Sequence, residues 1–416
     1  MAEPASSGTF LPRLRGDVDC FPSPQPSHPG WILRDPMGYA TAALRVPAEL
    51  IPVLVRLDGR HGLLDCQAEI SRQNGEIVPA EVITDTVAML RDAGFLLTPE
   101  FIALRQQREA AFVAATLRAA AFAGGGYPED PGELRQTLTD YLASAADPPP
   151  ESGIGGPLMG LAAPHVSPWG GIGGYAAAYR LLPSDLEGKT LAILGTSHHG
   201  APDRFGLTRK PFLTPLGRLE TDLEAVDYLF AHAGDVCVAE DYCHAIEHTI
   251  EFQCIFAQAG GAGTGTKILP VLCGPMLAPE RGSDRFYAAL GALAAQRGQN
   301  WFWLLGVDLA HMGLRYGGAE AVQAGDASAR AIEQRDRERL AAVTAGDAAG
   351  FRRLAGGDIT GYSGSLHWCG VSALYAFLRA MPHARGELLH YGQWNIDEGS
   401  IVSYAAIAWR QPGEPE

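Results

Sequence analysis

Three stretches of the chain place imidazole where a buried apolar run stops. His165 follows "LMGLAAP", the pair His198 and His199 lies in "GTSHHG" after "TLAILG", and Asp308 and His311 lie in "VDLAH" after "WFWLLG". Neutral imidazole suits Zn, Fe, Cu and Ni, and two or three such ligands with one anionic donor make an open mononuclear site. Core packing explains a single histidine among apolar neighbours, but three at the ends of three runs point to one shared site. The anionic donor has several candidates. Cys369 in "SLHWCGVSALYAFL" stands just before a helical pattern, where the dipole and free N–H groups favour thiolate over thiol. Asp308 is a second candidate, and the pair Glu247 and Glu251 a third. "CHAIEHTIEFQCIF" sets His244, Glu247, His248 and Glu251 three and four residues apart, the spacing of one helix face. Its H-x-x-E-H order is the inverted zinc-protease spelling, with no third ligand to support a protease. These residues are expected instead to orient ligands or substrate.

Ligands collect outside the carboxyl ends of strands in open α/β sheets, so the elements before these residues matter. "LMGLAAP", "TLAILG", "KILPVLCG", "WFWLLGV" and "IVSYAAIAW" read as buried strands. "YAAAYRLL", "TDLEAVDYLFAHA", "RFYAALGALAAQ", "AGDASARAIEQRDRERLAAV" and "CGVSALYAFLRAM" read as helices between them. The alternation predicts an α/β sheet covered by helices on both faces.

Before that region the pattern differs. Residues 1–30, with "FPSPQPSHPG", read as a flexible lead-in in which His28 has no role. From Trp31 to about residue 100, "PAELIPVLVRL", "GLLDCQAEISRQ" and "PAEVITDTVAMLRDAGFL" carry helical spacing around "DG" and "NGEI" turns, which predicts a small winged-helix-like domain. Residues 101–416 form the large domain, entered through the Ala-, Arg- and Gln-rich helix "EFIALRQQREAAFVAATLRAAA". "DPPPESGIGG" at 147–156 reads as a loop.

The totals exclude several classes of function. A chain of 416 residues exceeds one core, and its net charge of −15 argues against nucleic acid, which is bound by clustered Lys and Arg. With no long apolar run and no signal-like start, a soluble cytoplasmic protein without a membrane partner is expected. Seven scattered cysteines form neither a disulfide framework nor a paired zinc motif. No G-x-S-x-G elbow supports Ser-His hydrolysis, and "GAGTG" at 261–265 lacks the Lys-Ser/Thr of a P-loop.

The ordered set "RAAAFAGGGYPEDPGELRQTLTDYL", "APHVSPWGG", "ILGTSHHG", "EHTIEFQ", "LPVLCG", "VDLAH", "CG" and "YGQWNIDEGSIVSYAAIA" resembles the Memo family over roughly residues 115–410. Bacterial and archaeal members of that family are called AmmeMemoRadiSam system protein B. The resemblance implies the fold of the class III extradiol dioxygenases, non-haem iron enzymes related to protocatechuate 4,5-dioxygenase. It implies metal ligands at His165, His198 and Cys369, and it places Asp308 and His311 where the related dioxygenases hold their general base. A radical SAM enzyme and an AMMECR1-like protein are the partners it implies. The chain lacks the CxxxCxxC cluster motif, so it is not itself the radical SAM enzyme. Two departures bear on the chemistry. The family's "PHAGYxYSG" reads "PHVSPWGGIGGYAAAY" here, so the loop after His165 is remodelled, and a thiolate replaces the dioxygenases' carboxylate ligand. Residues 31–100 also resemble the small PqqD-like chaperone family of pyrroloquinoline-quinone biosynthesis, which implies a peptide ligand there.

Three functions compete. In the first, a metal-dependent oxidoreductase holds Fe(II), or copper, on His165, His198 and Cys369. His311 aided by Asp308 moves protons, an imidazole near its reference pKa of about 6.5 being able to act either way. His199 and His248 contact substrate or bound oxygen. In the second, a hydrolase uses zinc in the same cavity. In the third, the chain is a non-enzymatic adaptor that binds a peptide or a metal ion.

Overall fold

The computed structural model describes residues 10–23, 30–40, 43–144, 156–277, 282–357 and 365–411. His28 and nearly all of 147–156 lie outside the described residues. The chain divides into two compact units, Met1–Ala114 and Ala115–Glu416.

The first unit has strands β1 (Asp19–Pro22), β2 (Trp31–Arg34) and β3 (Leu44–Val46) in one antiparallel sheet of that order. Helices α1 (Ile51–Arg56), α2 (Leu63–Asn74), α3 (Ala80–Asp92) and α4 (Pro99–Ala114) follow. Strand β1 falls within the stretch read as a lead-in, because Cys20 and Phe21 pair with Leu33 and Ile32. The core of this unit gathers Leu33 and Val46 from the sheet with Val53, Ile70, Ile83 and Leu90 from the helices. All three strands precede the first helix, so the winged-helix likeness rests on a small sheet beside a helical cluster.

The second unit is a large mixed sheet flanked by helices. Helix α5 (Pro131–Ala143) opens it, with Asp130 accepting from the N–H groups of Gly132 and Glu133 and Pro131 at the first helical position. The strands that follow are β4 (Leu158–Ala163), β5 (Thr190–Thr196), β6 (Phe205–Leu207), β7 (Phe212–Thr214), β8 (Gly217–Thr221), β9 (Cys237–Ala239), β10 (Lys267–Cys273), β11 (Trp301–Gly306), β12 (Asp308–Gly313), β13 (Arg385–Asp397) and β14 (Ser400–Arg410). The helices between them are α6 (Ile172–Tyr179), α7 (Leu223–Ala233), α8 (Cys243–Ile246), α9 (Thr249–Ala259), α10 (Ser283–Arg297), α11 (Ala327–Thr344), α12 (Ala348–Leu354) and α13 (Val371–Ala380).

Strands β4, β11, β5 and β10 lie side by side and parallel. Their residues alternate between two cores, which is why they read as unbroken apolar runs. Leu191, Ile193 and Leu304 pack on one face with α9's Phe256, while Leu194, Trp303 and Leu305 pack on the other with Phe286 and Phe377. The five strands expected from the sequence are all present. Antiparallel strands extend the sheet beyond them. β13 runs along one edge of β14 for its whole length, and the other edge is shared. There β12 pairs with Ser400 to Tyr404 and β4 with Ile407 to Arg410, so β4 and β12 lie end to end along it. No helix among the described residues is long and apolar enough to cross a membrane.

Candidate metal centre

The site assembles where β4, β5 and β11 end. β4 delivers His165, which is buried, and the Asp308 carboxylate at the start of β12 holds it by accepting from the N–H groups of His165 at 2.9 Å and Val166 at 3.1 Å. The Nδ1 of His165 lies 2.9 Å from the Gly306 carbonyl, an acceptor, so Nδ1 carries the proton and Nε2 is left as a ligand atom. That Nε2 stands 3.2 Å from Cys369 Sγ. Cys369 lies one residue before the N-cap of α13 and is tied down through its carbonyl, which accepts from Thr196 Oγ1 at 3.1 Å.

β5 delivers His198, whose Nδ1 is 3.0 Å from Glu247 Oε2. The same carboxylate accepts from the backbone N–H groups of His198 and His248, each at 3.0 Å, and meets His248 Nδ1 at 3.0 Å. A carboxylate on the outer nitrogen fixes tautomer and ring plane and makes the inner nitrogen a better ligand. The rings of His165, His198 and His248 form a triangle with centroid separations of 5.2, 5.3 and 5.3 Å.

Glu247 reaches this place because the single helix face read from "CHAIEHTIEFQCIF" is split between two helices. α8 stops at Ile246, Glu247 is extended at φ −89°, ψ 135°, and α9 starts at Thr249. The expectation of one shared face is therefore corrected. Glu247 turns into the site, while Glu251 points the other way, into a buried cluster with Arg118, Tyr127 and the N–H groups of Ala121 and Phe122. Two glycines let α9 lie on the strand ends. A Cβ at Gly195 would fall 2.4 Å from Thr249 Oγ1, and one at Gly306 would fall 2.4 Å from the Thr249 carbonyl. The close seat allows Thr249 Oγ1 to donate to the Thr196 carbonyl at 3.0 Å and Gln253 Nε2 to the Pro164 carbonyl at 2.9 Å.

Among the described residues, ligand atoms converge within 4.8 Å in three groups: His165, His198 and Cys369; His198, Glu247 and His248; and Asp308, His311 and Cys369. The first supplies two imidazole nitrogens and a thiolate and can hold a metal ion. Of the three anionic candidates, Cys369 touches His165 directly, Asp308 Oδ2 stands 3.5 Å from His165 Nε2, and Glu251 belongs elsewhere. Asp308 and His311 sit on β12, a separate strand that begins one residue past β11, and the His311 ring meets Tyr316 edge-on at 5.0 Å. His199 is half-buried and belongs to none of the three groups.

Loss of hydration opposes charge at the buried His165 and Glu247 and the half-buried Cys369, and neighbours decide the outcome there and at the more exposed His198. Burial pushes the Cys369 thiol up, but His165 and His311 outweigh it and hold it down at about 5, so the sulfur is thiolate at neutral pH. Burial pulls His165 down, and Asp308 and Cys369 together lift it to about 9. In the same way Glu247 raises His198 well above the usual imidazole range, while His198 and His248 keep Glu247 ionised. His248 shifts the other way, since burial outweighs its carboxylate partner and keeps it neutral. A cavity of about 200 Å³ opens beside the centre, lined by His198, Cys369, Trp368, Met276 and Leu277 among others.

Sequence reasoning left out the Gly306 carbonyl, Thr196 and Tyr316. Tyr316 alone carries a signal, three residues beyond the "DLAHMG" strand.

The family model described as Memo-like protein matches residues 118–408. A MEMO1 family protein of Methanopyrus kandleri is 30% identical over 311 residues, which cover 71% of this chain and 99% of that protein. One of Aquifex aeolicus is 26% identical over 295 residues, 70% of this chain and 75% of its own. One of Thermus thermophilus is 27% identical over 286 residues, 68% and 82% respectively. With a family match across most of its length and a relative aligned nearly end to end, this chain belongs to the Memo-like protein family.

Proposed function

We propose that the protein is a metal-dependent oxidoreductase whose ion is held by His165, His198 and Cys369. The observation that carries this reading is the convergence of two imidazoles and a thiolate within 4.8 Å, with both outer imidazole nitrogens already engaged by Gly306 and Glu247. Fe(II) is the metal we favour. Copper suits the thiolate, and zinc suits the mixed donor set. A bound redox ion supplies Lewis acidity and one-electron chemistry toward dioxygen.

The chain's own residues supply the rest. Asp308 fixes the His165 backbone and, beside it, His311 exchanges a proton with the substrate. His248, neutral and bonded through Nδ1 to Glu247, keeps its Nε2 lone pair available to accept a hydrogen bond from substrate. His199 contacts the substrate from the loop after β5. The cavity beside Cys369, with Trp368, Met276 and Leu277, favours an apolar substrate group. On the family likeness, a radical SAM enzyme and an AMMECR1-like protein are the proposed partners, and a peptide is the proposed ligand of residues 31–100.

A zinc hydrolase is the second reading, favoured by the Glu247–His198 pair, a carboxylate–histidine arrangement common behind zinc. Metal analysis of protein purified without chelator, beside His165→Ala and Cys369→Ala, separates the two. Near-stoichiometric iron or copper, lost in both variants, is the expected result. Zinc lost in both variants would favour the hydrolase. Absence of metal, or metal retained by both variants, would overturn the centre and favour an adaptor.

A further inference from the structure

Helix α11 carries no ligand, yet its Asp336 is fully buried and lies between two parts of the centre. Its Oδ1 accepts from Trp368 Nε1 at 2.6 Å. Its Oδ2 accepts from Ser403 Oγ at 2.6 Å and from Tyr391 Oη at 2.9 Å. Ser403 Oγ in turn accepts from the Ala310 N–H at 2.8 Å. Trp368 is the residue before Cys369, and Ala310 stands between Asp308 and His311. One carboxylate thus reaches the thiolate arm through an indole and the acid–base arm through a hydroxyl. The indole is gripped twice, since the guanidinium carbon of Arg339, one turn along α11, lies 5.2 Å from its ring centroid.

Packing alone does not call for this arrangement. A carboxylate in a core loses its hydration and is tolerated only when donors replace it, and an apolar side chain of similar volume would fill the space at least as well. Three directed donors fix where each partner stands in a way that dispersion contacts do not.

We infer that Asp336 is a positioning residue that sets the Cys369 turn and the Asp308–His311 strand relative to one another. Its effect on the ion rests on the metal-centre reading above, whereas its effect on the two backbone segments does not.

The test is hydrogen exchange by mass spectrometry on the full chain, combined with Co(II) titration as a probe of the centre. Asp336→Leu should speed exchange at both 308–311 and 366–370. The two segments also meet directly, the His311 N–H donating to the Leu366 carbonyl at 2.9 Å and the Gly370 N–H to the Asp308 carbonyl at 3.1 Å. Trp368→Phe should therefore speed 366–370 more than 308–310, and Ser403→Ala should speed Ala310 more than 366–369, which keeps the inference testable if Asp336→Leu does not fold. Tyr391→Phe removes a donor that touches neither arm and should leave both unchanged. Each single-arm variant should weaken Co(II) binding by about 10- to 100-fold, the range seen when groups behind a ligand are lost. Exchange that rises evenly across the sheet, or Co(II) binding that matches the parent in both single-arm variants, would overturn the inference. If the parent shows no Co(II) signal that Cys369→Ala abolishes, the metal reading fails, and the exchange pattern alone decides the role of Asp336.

Discussion

Glu247 is the residue on which most of the centre's order depends, because its two oxygens serve the backbone and ring nitrogens of both His198 and His248. Glu247→Gln keeps the shape but removes the charge and turns one oxygen into a donor. Metal affinity, read by competition with a chelator, should fall by about 10- to 100-fold while the fold persists. Unchanged affinity would place Glu247 outside the centre. Acidity at this scale gives a second expectation. His165, held up to about 9, must lose its proton before Nε2 can bind a cation, whereas Cys369, held down to about 5, is already ionised at neutral pH. His198, raised well above the usual imidazole range by Glu247, must lose a proton as well, so affinity for Co(II) should rise with pH through the neutral and mildly alkaline range and fall more steeply below about 5, where the thiol also gains a proton. A flat profile across the neutral and mildly alkaline range would contradict the assignment. His165 and the His198–His199 pair were legible as candidates because each follows an apolar run, and Cys369 as one of three anionic candidates because it precedes a helix. The choice of His198 and Cys369 came from the family resemblance. Glu247's role was not legible, since three-and-four spacing reads as one helix and neither Gly nor Pro marks the break. The Gly306 carbonyl that orients His165 has no side chain to read at all.

The break between α8 and α9 is itself held from outside. Arg118 donates from Nε to the His244 carbonyl and from a terminal nitrogen to the Glu247 carbonyl, both at 2.8 Å, and pairs with Glu251. These carbonyls lie at the end of α8, where no helical partner exists for them. Arg118→Leu leaves Glu251 buried without its countercharge, though still bonded by Tyr127 and the Ala121 and Phe122 N–H groups, so stability should fall by about 3–5 kcal/mol, measured by chemical denaturation. A loss within about 0.5 kcal/mol would show that the pair is dispensable. The central strands and the helices between them were legible because burial on both faces writes an unbroken apolar run. β12 and β13 were not. β13 is half-buried along nearly all its length and lacks clean alternation, and β12 follows β11 after a single residue, with no room for a connecting turn to mark it as a second strand.

On the scale of the whole chain, every residue of the centre lies in the unit Ala115–Glu416. That unit has its own cores on both faces of the sheet. Expressed alone, residues 115–416 should fold cooperatively and bind metal as the full chain does, while losing any peptide bound by the first unit. Loss of metal on truncation would tie the first unit to the centre. The strand β14 has a further consequence. Because β4 and β12 abut along one of its edges, the gap between the turn bearing His165 and the start of β12 at Asp308 is spanned by the stretch from Tyr404 to Ile407. β14 is a ruler for the centre, graduated at about 3.4 Å per residue. Deleting one residue from that stretch would close the gap by one graduation and turn the side chains beyond it to the opposite face. A distance that decides chemistry is thus kept as a count of residues in a strand that contributes no ligand.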